Sequence, residues 1–213
     1  MLPILYSFRR CPYAIRARMT LRHCNINLEL REVALSFKPD AMMAVSKKGT
    51  VPVLVLEDGT ILDQSLEIMR WAICRTYPDI NDNNNWLTTK NPELESELVQ
   101  INDSSFKLAL DGYKYSGPSD SQIVLGFRYR AQQFLDRLEN QLLQNEFLLE
   151  DRLGFADIAI FPFIRQFEGV DQQWFSNSKY TNLRTWLNTL KQAELFLGVM
   201  KKHPIWQDDY YGS

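Results

Sequence analysis

The chain has 213 residues, 45% of them hydrophobic and 23% charged, with a formal net charge of −2. This ordinary globular composition has room for one large domain or two modest ones and argues against general disorder, while the near-neutral, evenly spread charge argues against a nucleic-acid partner. No stretch reaches the roughly 18 apolar residues of a membrane span, and MLPILYSFRRCPY lacks the basic stretch and long apolar core of a signal peptide, so a cytoplasmic protein without membrane association is expected.

In chain order, residues 2–7 form a short apolar run, and residues 12–24 have helical spacing, with Ile15 and Met19 on one face and Arg16, Arg18 and Arg22 on others. In residues 26–33 apolar Ile26, Leu28 and Leu30 alternate with Asn27, Glu29 and Arg31, the period of a strand. Residues 39–45 read as a helix. Residues 51–56 and 60–62 flank Glu57-Asp58-Gly59, an Asp-Gly hairpin turn. Residues 64–77 are helical and stop at Pro78. The order β-α-β-α-β-β-α requires a mixed sheet with helices on its faces.

Residues 79–91, with their Asn-rich run, read as a linker anchored by Ile80, Trp86 and Leu87. Beyond it helical periodicity dominates, over 92–115, then 121–145 (Phe127, Ala131, Phe134, Leu135, Leu138, Leu142), 155–167 and 182–192. The expected organisation is an α/β domain over 1–78, a linker over 79–91 and an all-helical domain over 92–213.

Three cysteines, at 11, 24 and 74, argue for reduced thiols rather than a disulfide framework. Two histidines with no ligand spacing leave no metal site to assign. Cys11 is the informative thiol. It follows a strand and a short loop, directly before Pro12, a residue suited to the first position of a helix. A sulfur there faces open backbone N–H groups and the positive end of the helix dipole, which favour thiolate. Cys24 and Cys74 are expected on or near packed helix faces.

Cys11-Pro12-Tyr13-Ala14 after a first strand resembles the active-site turn of glutaredoxins. Joined to a helical second domain, it resembles the glutathione S-transferase superfamily, in particular its cysteine-type branch of omega-like transferases and two-domain glutaredoxins. The resemblance implies a thioredoxin-like N-terminal domain with a mixed four-stranded sheet, an all-α C-terminal domain, and glutathione as co-substrate with no metal. It implies Cys11 as the catalytic nucleophile, with Tyr13, Lys48, Val51, Pro52, Gln64 and Ser65 on glutathione. Pro52, in Gly49-Thr50-Val51-Pro52, is expected to be cis, with the Val51 N–H and C=O pairing with the ligand as an added strand would. Ser65, at a helix N-terminus, would take the γ-glutamyl carboxylate. Gln64 stands where many relatives have Glu or Asp, and keeps a hydrogen bond without the charge. Lys47 or Lys48 would meet the glycine carboxylate. Asp157, in Gly154-Phe155-Ala156-Asp157, resembles the family's capping box and is a structural feature. Tyr113, Tyr115, Phe163, Phe167 and Trp174 are either helical core or the wall of a co-substrate pocket.

Ala14 replaces the second cysteine of a dithiol motif, so a mixed disulfide on Cys11 has no internal thiol to resolve it. The expected activity is glutathione-dependent thiol transfer, on a small hydrophobic or disulfide co-substrate, with deglutathionylation or dehydroascorbate reduction within reach. Conjugation of electrophiles, with Tyr6 or Ser7 assisting, and a non-catalytic binding role are the alternatives. Most relatives are twofold dimers and two-domain glutaredoxins can be monomers; the sequence leaves both open.

Overall fold

In the computed structural model, which describes residues 2–79, 81–117 and 121–208, the first apolar run forms β1 (Ile4–Ser7). Pro12 opens α1 (Pro12–His23), and β2 (Glu29–Glu32) pairs with β1 in parallel, Ile4 opposite Glu29. After α2 (Asp40–Val45), the hairpin strands β3 (Val53–Val55) and β4 (Ile61–Leu62) run antiparallel to their neighbours, Tyr6 facing Val53 and Leu54 facing Leu62. Helix α3 (Ser65–Thr76) follows, and the sheet order is β2-β1-β3-β4. This is the expected mixed four-stranded sheet. Pro52 lies one residue before the first paired residue of the internal strand β3, so its missing N–H interrupts no ladder bond.

Helix α1 differs from its expected amphipathic character, because Arg16 and Arg18 are buried with Ile15 and Met19. The helix packs on α3 and on α10 (Glu194–Val199), which the sequence pattern does not announce, and its Ala14 joins Tyr6 and Val53 of the sheet in one apolar cluster. The chain divides into two compact units, Met1–Asp79 with Glu194–Ser213, and Ile80–Ala193. The segment 194–208, expected within the helical domain, thus packs with the α/β unit. Its contacts there are long-range and leave no periodic signal in sequence.

The second unit is helical. Residues 92–115, expected as one helix, are α4 (Pro92–Ile101) and α5 (Lys107–Tyr115) joined by a π-helical turn at Asn102–Phe106. Helix α6 (Gln122–Leu142) buries Ala131, Phe134, Leu135, Leu138 and Leu142 as its periodicity predicts. Then follow α7 (Phe155–Glu168), a short α8 (Gln172–Ser176) and α9 (Thr181–Gln192). Helix α7 is apolar nearly all round and is the centre of this unit's core. In the linker Trp86 is buried and its carbonyl accepts from Phe155 N–H, while the expected anchor Ile80 lies outside the described residues. Tyr113, Phe163 and Phe167 are core residues, Tyr113 and Phe167 stacking at 5.2 Å, and Tyr115 is 70% exposed.

Gly112 of α5 meets Phe127 of α6 so closely that an added Cβ would lie 2.3–2.5 Å from the ring atoms. Gly112→Ala forces that ring and its helix to move, and is expected to lower stability by about 1–3 kcal/mol, read from the shift of the urea midpoint at constant slope.

Candidate active site

Cys11 ends the loop after β1 and is the N-cap residue of α1, in extended conformation, with no side-chain cap bond. It is partly buried, and its Sγ lies 3.7 Å from the Val51 carbonyl oxygen. The Val51–Pro52 peptide bond is cis. Val51 belongs to an apolar cluster with Tyr6, Ala14, Val33, Met42 and Val53, and Cys11 packs against it. The loop before β3 therefore meets the start of α1 at the sulfur.

Ser65 is the first residue of α3, 5% exposed, and Gln64 is the N-cap residue, with no side-chain cap bond of its own. Ser65 Oγ accepts a 3.0 Å hydrogen bond from Nε of Arg16, itself only 1% exposed, and the Arg16 guanidinium stacks 5.0 Å from the Tyr13 ring centroid. One buried arginine thus ties the first turn of α1, with Tyr13, to the first residue of α3. The helical spacing puts Arg16 on a different face from Ile15 and Met19. Its signal was its spacing, one helical turn after Pro12-Tyr13, but a lone Arg in a helix reads as solvated unless the facing elements are known. Both helix N-termini present orphan N–H groups and a favourable dipole for negative charge.

Lys48 pairs with Asp63, Nζ to Oδ1 at 2.9 Å, and Lys47 is exposed. The Lys48 side chain is about half exposed, so this pair is weak and an incoming carboxylate can compete for it. Tyr6 and Ser7 are both buried. The Tyr6 hydroxyl accepts a 2.8 Å bond from Arg31, and among the described residues Ser7 Oγ has no hydrogen-bond partner.

The other thiols differ from Cys11. Cys24 is buried, and burial pushes its thiol up to about 11, so it is protonated and inert at neutral pH. Cys74 was expected on or near a packed face and is instead exposed. The buried face of α3 runs through Ile68, Met69, Ala72 and Ile73, and the next residue turns about 100° away from it. Among the described residues no group of His, Cys, Asp and Glu gathers as metal ligands, and no helix is long and apolar enough to cross a membrane.

Comparison with known proteins adds the family. Residues 10–73 match the glutathione S-transferase N-terminal domain and residues 118–189 the glutathione S-transferase C-terminal domain. The chain belongs to the glutathione S-transferase superfamily. Among curated relatives, the probable glutathione S-transferase DHAR2, chloroplastic, of Oryza sativa subsp. japonica is 21% identical over 88% of this chain and 64% of its own length. Glutaredoxin 2 of Escherichia coli (strain K12) is 28% identical over 63% of this chain and 58% of its own. The chain thus spans less than two thirds of either relative. Among solved structures, glutathione transferase Omega 3C from Trametes versicolor superposes with a TM-score of 0.78 at 16% identity, covering 95% of this chain and 90% of that one. A transferase family member from Pseudomonas fluorescens pf-5, solved with two glutathione bound, gives 0.78 at 14% identity over 93% and 92%. These likenesses show that the superfamily fold is shared.

Proposed function

We propose that this member of the superfamily is a glutathione-dependent thiol transferase working through a Cys11–glutathione mixed disulfide. The observation that carries the reading is the position of Cys11 Sγ, at the open N-terminus of α1 and 3.7 Å from Val51 O. In the proposed cycle the Cys11 thiolate attacks the glutathione sulfur of a mixed disulfide. The S–S bond breaks, the substrate thiolate leaves and takes a proton from solvent, and Cys11 carries glutathione. With Ala14 where a resolving cysteine would stand, a second glutathione thiolate attacks that sulfur, releasing oxidised glutathione and restoring the Cys11 thiolate.

Glutathione would be held by Val51 along its backbone, by Ser65 and the α3 N-terminus at the γ-glutamyl carboxylate, and by Tyr13, Pro52, Gln64 and Lys48 around them. Arg16 orients Ser65 by donating its Nε–H to an Oγ lone pair, which leaves the hydroxyl hydrogen available to the carboxylate. Ser65→Ala is expected to raise KM for glutathione by about tenfold or more, the loss of one hydrogen bond to a charged group, with kcat little changed. A steady-state titration of glutathione at saturating mixed disulfide reads both.

The buried, Arg31-bonded Tyr6 hydroxyl favours this reading over a Tyr-assisted conjugation. The cytoplasm, where reduced glutathione is supplied, is the proposed compartment. The test is the intact mass of the protein after exposure to oxidised glutathione. One adduct on Cys11, removed by reduced glutathione, supports the cycle; a chain that stays unmodified at Cys11 refutes it.

A further inference from the structure

Helix α2 has only six residues, too few to persist alone, and its N-cap position is held by Pro39, which offers no side-chain acceptor. The acceptor comes from the other end of the chain. The Asp40 N–H donates to Asp208 Oδ2 at 2.8 Å and the Ala41 N–H to Asp208 Oδ1 at 3.3 Å. Two first-turn donors of α2 are thus satisfied by a carboxylate 167 and 168 residues away, and its charge lies at the favourable end of the helix dipole.

The segment that delivers Asp208 is itself fastened. Ile205 bridges in parallel to Glu32 along the outer edge of β2, and the Trp206 N–H donates to Glu32 O at 2.8 Å. The Trp206 ring stands edge-on to Tyr6 at 6.0 Å and lies 4.1 Å beneath the Arg31 guanidinium, which also bonds the Tyr6 hydroxyl. Trp206 packs on the same apolar cluster as Cys11. From α2 the path to the sulfur is short. Met42 is fully buried in that cluster beside Val51, and the loop 46–50 leads from the end of α2 to Val51 itself.

We propose that residues 205–208 form a clamp that positions the Val51 side of the thiol site by holding α2, with Asp208 and Trp206 as its positioning residues. This rests on the reading of that site as a glutathione site. The clamp acts on how the ligand is received, and leaves the chemical step alone.

The test compares the full chain with Asp208→Ala and Asp208→Asn. Asparagine keeps an acceptor oxygen and remains a good cap, whereas alanine has none. Amide hydrogen exchange across residues 40–46 is expected to quicken on the order of tenfold in Asp208→Ala, the factor that corresponds to losing one cap, and to recover most of the way in Asp208→Asn. KM for glutathione should rise by a similar factor in Asp208→Ala with kcat within about twofold, the pattern of lost ground-state binding. Unchanged exchange would overturn the clamp, as would faster exchange with an unchanged KM. If the wild-type chain takes no glutathione adduct, the function reading fails, and the exchange rates still decide whether the tail holds α2.

Discussion

Cys11→Ser is expected to remove the glutathione adduct from the mass spectrum and to lower thiol transfer by at least about 1000-fold, the scale of losing a covalent nucleophile. A serine hydroxyl cannot form the mixed disulfide at all, so residual turnover would have to come from another group. The fold should survive. Cys11 occupies an N-cap position without a side-chain cap bond, and serine is among the best N-cap residues, so the unfolding midpoint should hold or rise slightly. That separates a nucleophile from a packing residue, whose replacement would lower stability along with activity. Cys74 is exposed and can collect glutathione non-specifically, so both proteins are best compared in a Cys74→Ser background. Transfer activity retained by Cys11→Ser would overturn the proposed nucleophile.

Asp157→Ala is expected to destabilise the protein by about 3–5 kcal/mol, because it removes the acceptor of three donors at once, two of them buried. Asp157 Oδ2 accepts from the Gly154 N–H at 3.0 Å, as the capping-box pattern implied. Oδ1 also accepts from the Leu148 N–H at 2.9 Å and from Trp186 Nε1 at 2.8 Å. One carboxyl therefore joins the start of α7 to the loop before it and to α9. Burial pushes this carboxyl up to about 6, outweighing the hydrogen-bond donors that favour its ionised form. A carboxyl raised in the folded state binds a proton there that the unfolded chain has already released. Its stabilising contribution is therefore present below the unfolded value of 3.8 and is lost as pH rises through about 6. The stability difference between wild type and Asp157→Ala should accordingly shrink by about 1 kcal/mol between pH 5 and pH 7. Urea unfolding of both proteins at the two pH values measures it; a difference that grows with pH would mean that the donors prevail over burial.

Local chemistry was legible in the sequence and long-range chemistry was not. Cys11-Pro12 identifies a helix N-terminus because the signals for both lie within two residues. Val51-Pro52 and the Asp58-Gly59 turn are equally local, and so is Asp157, three residues from the N–H it reaches. The burial of Arg16 was not legible because the energetic reason for it, Ser65 Oγ and the Tyr13 ring, is partly 49 residues away. Lys48 illustrates the converse, a loop charge whose nearest partner in the fold is Asp63. The π-helical turn at Asn102–Phe106 leaves the apolar spacing nearly intact, so one continuous helix was the natural reading. The tail was opaque for the plainest reason. Nothing around Trp206 or Asp208 repeats with a helix or strand period, and both find their partners in the first 41 residues.

The membership of α10 and the tail in the first unit has a consequence for biosynthesis. Residues 80–193 leave the ribosome before the last piece of the α/β unit exists. During that interval the nascent sheet has the outer edge of β2 uncovered and α2 without its acceptor, while the helical unit already has all of its own residues. The order of emergence is therefore not the order of completion. The unit synthesised first is finished last, and a stall or premature stop between Glu194 and Trp206 yields a chain whose helical part is whole and whose thiol-bearing part is not.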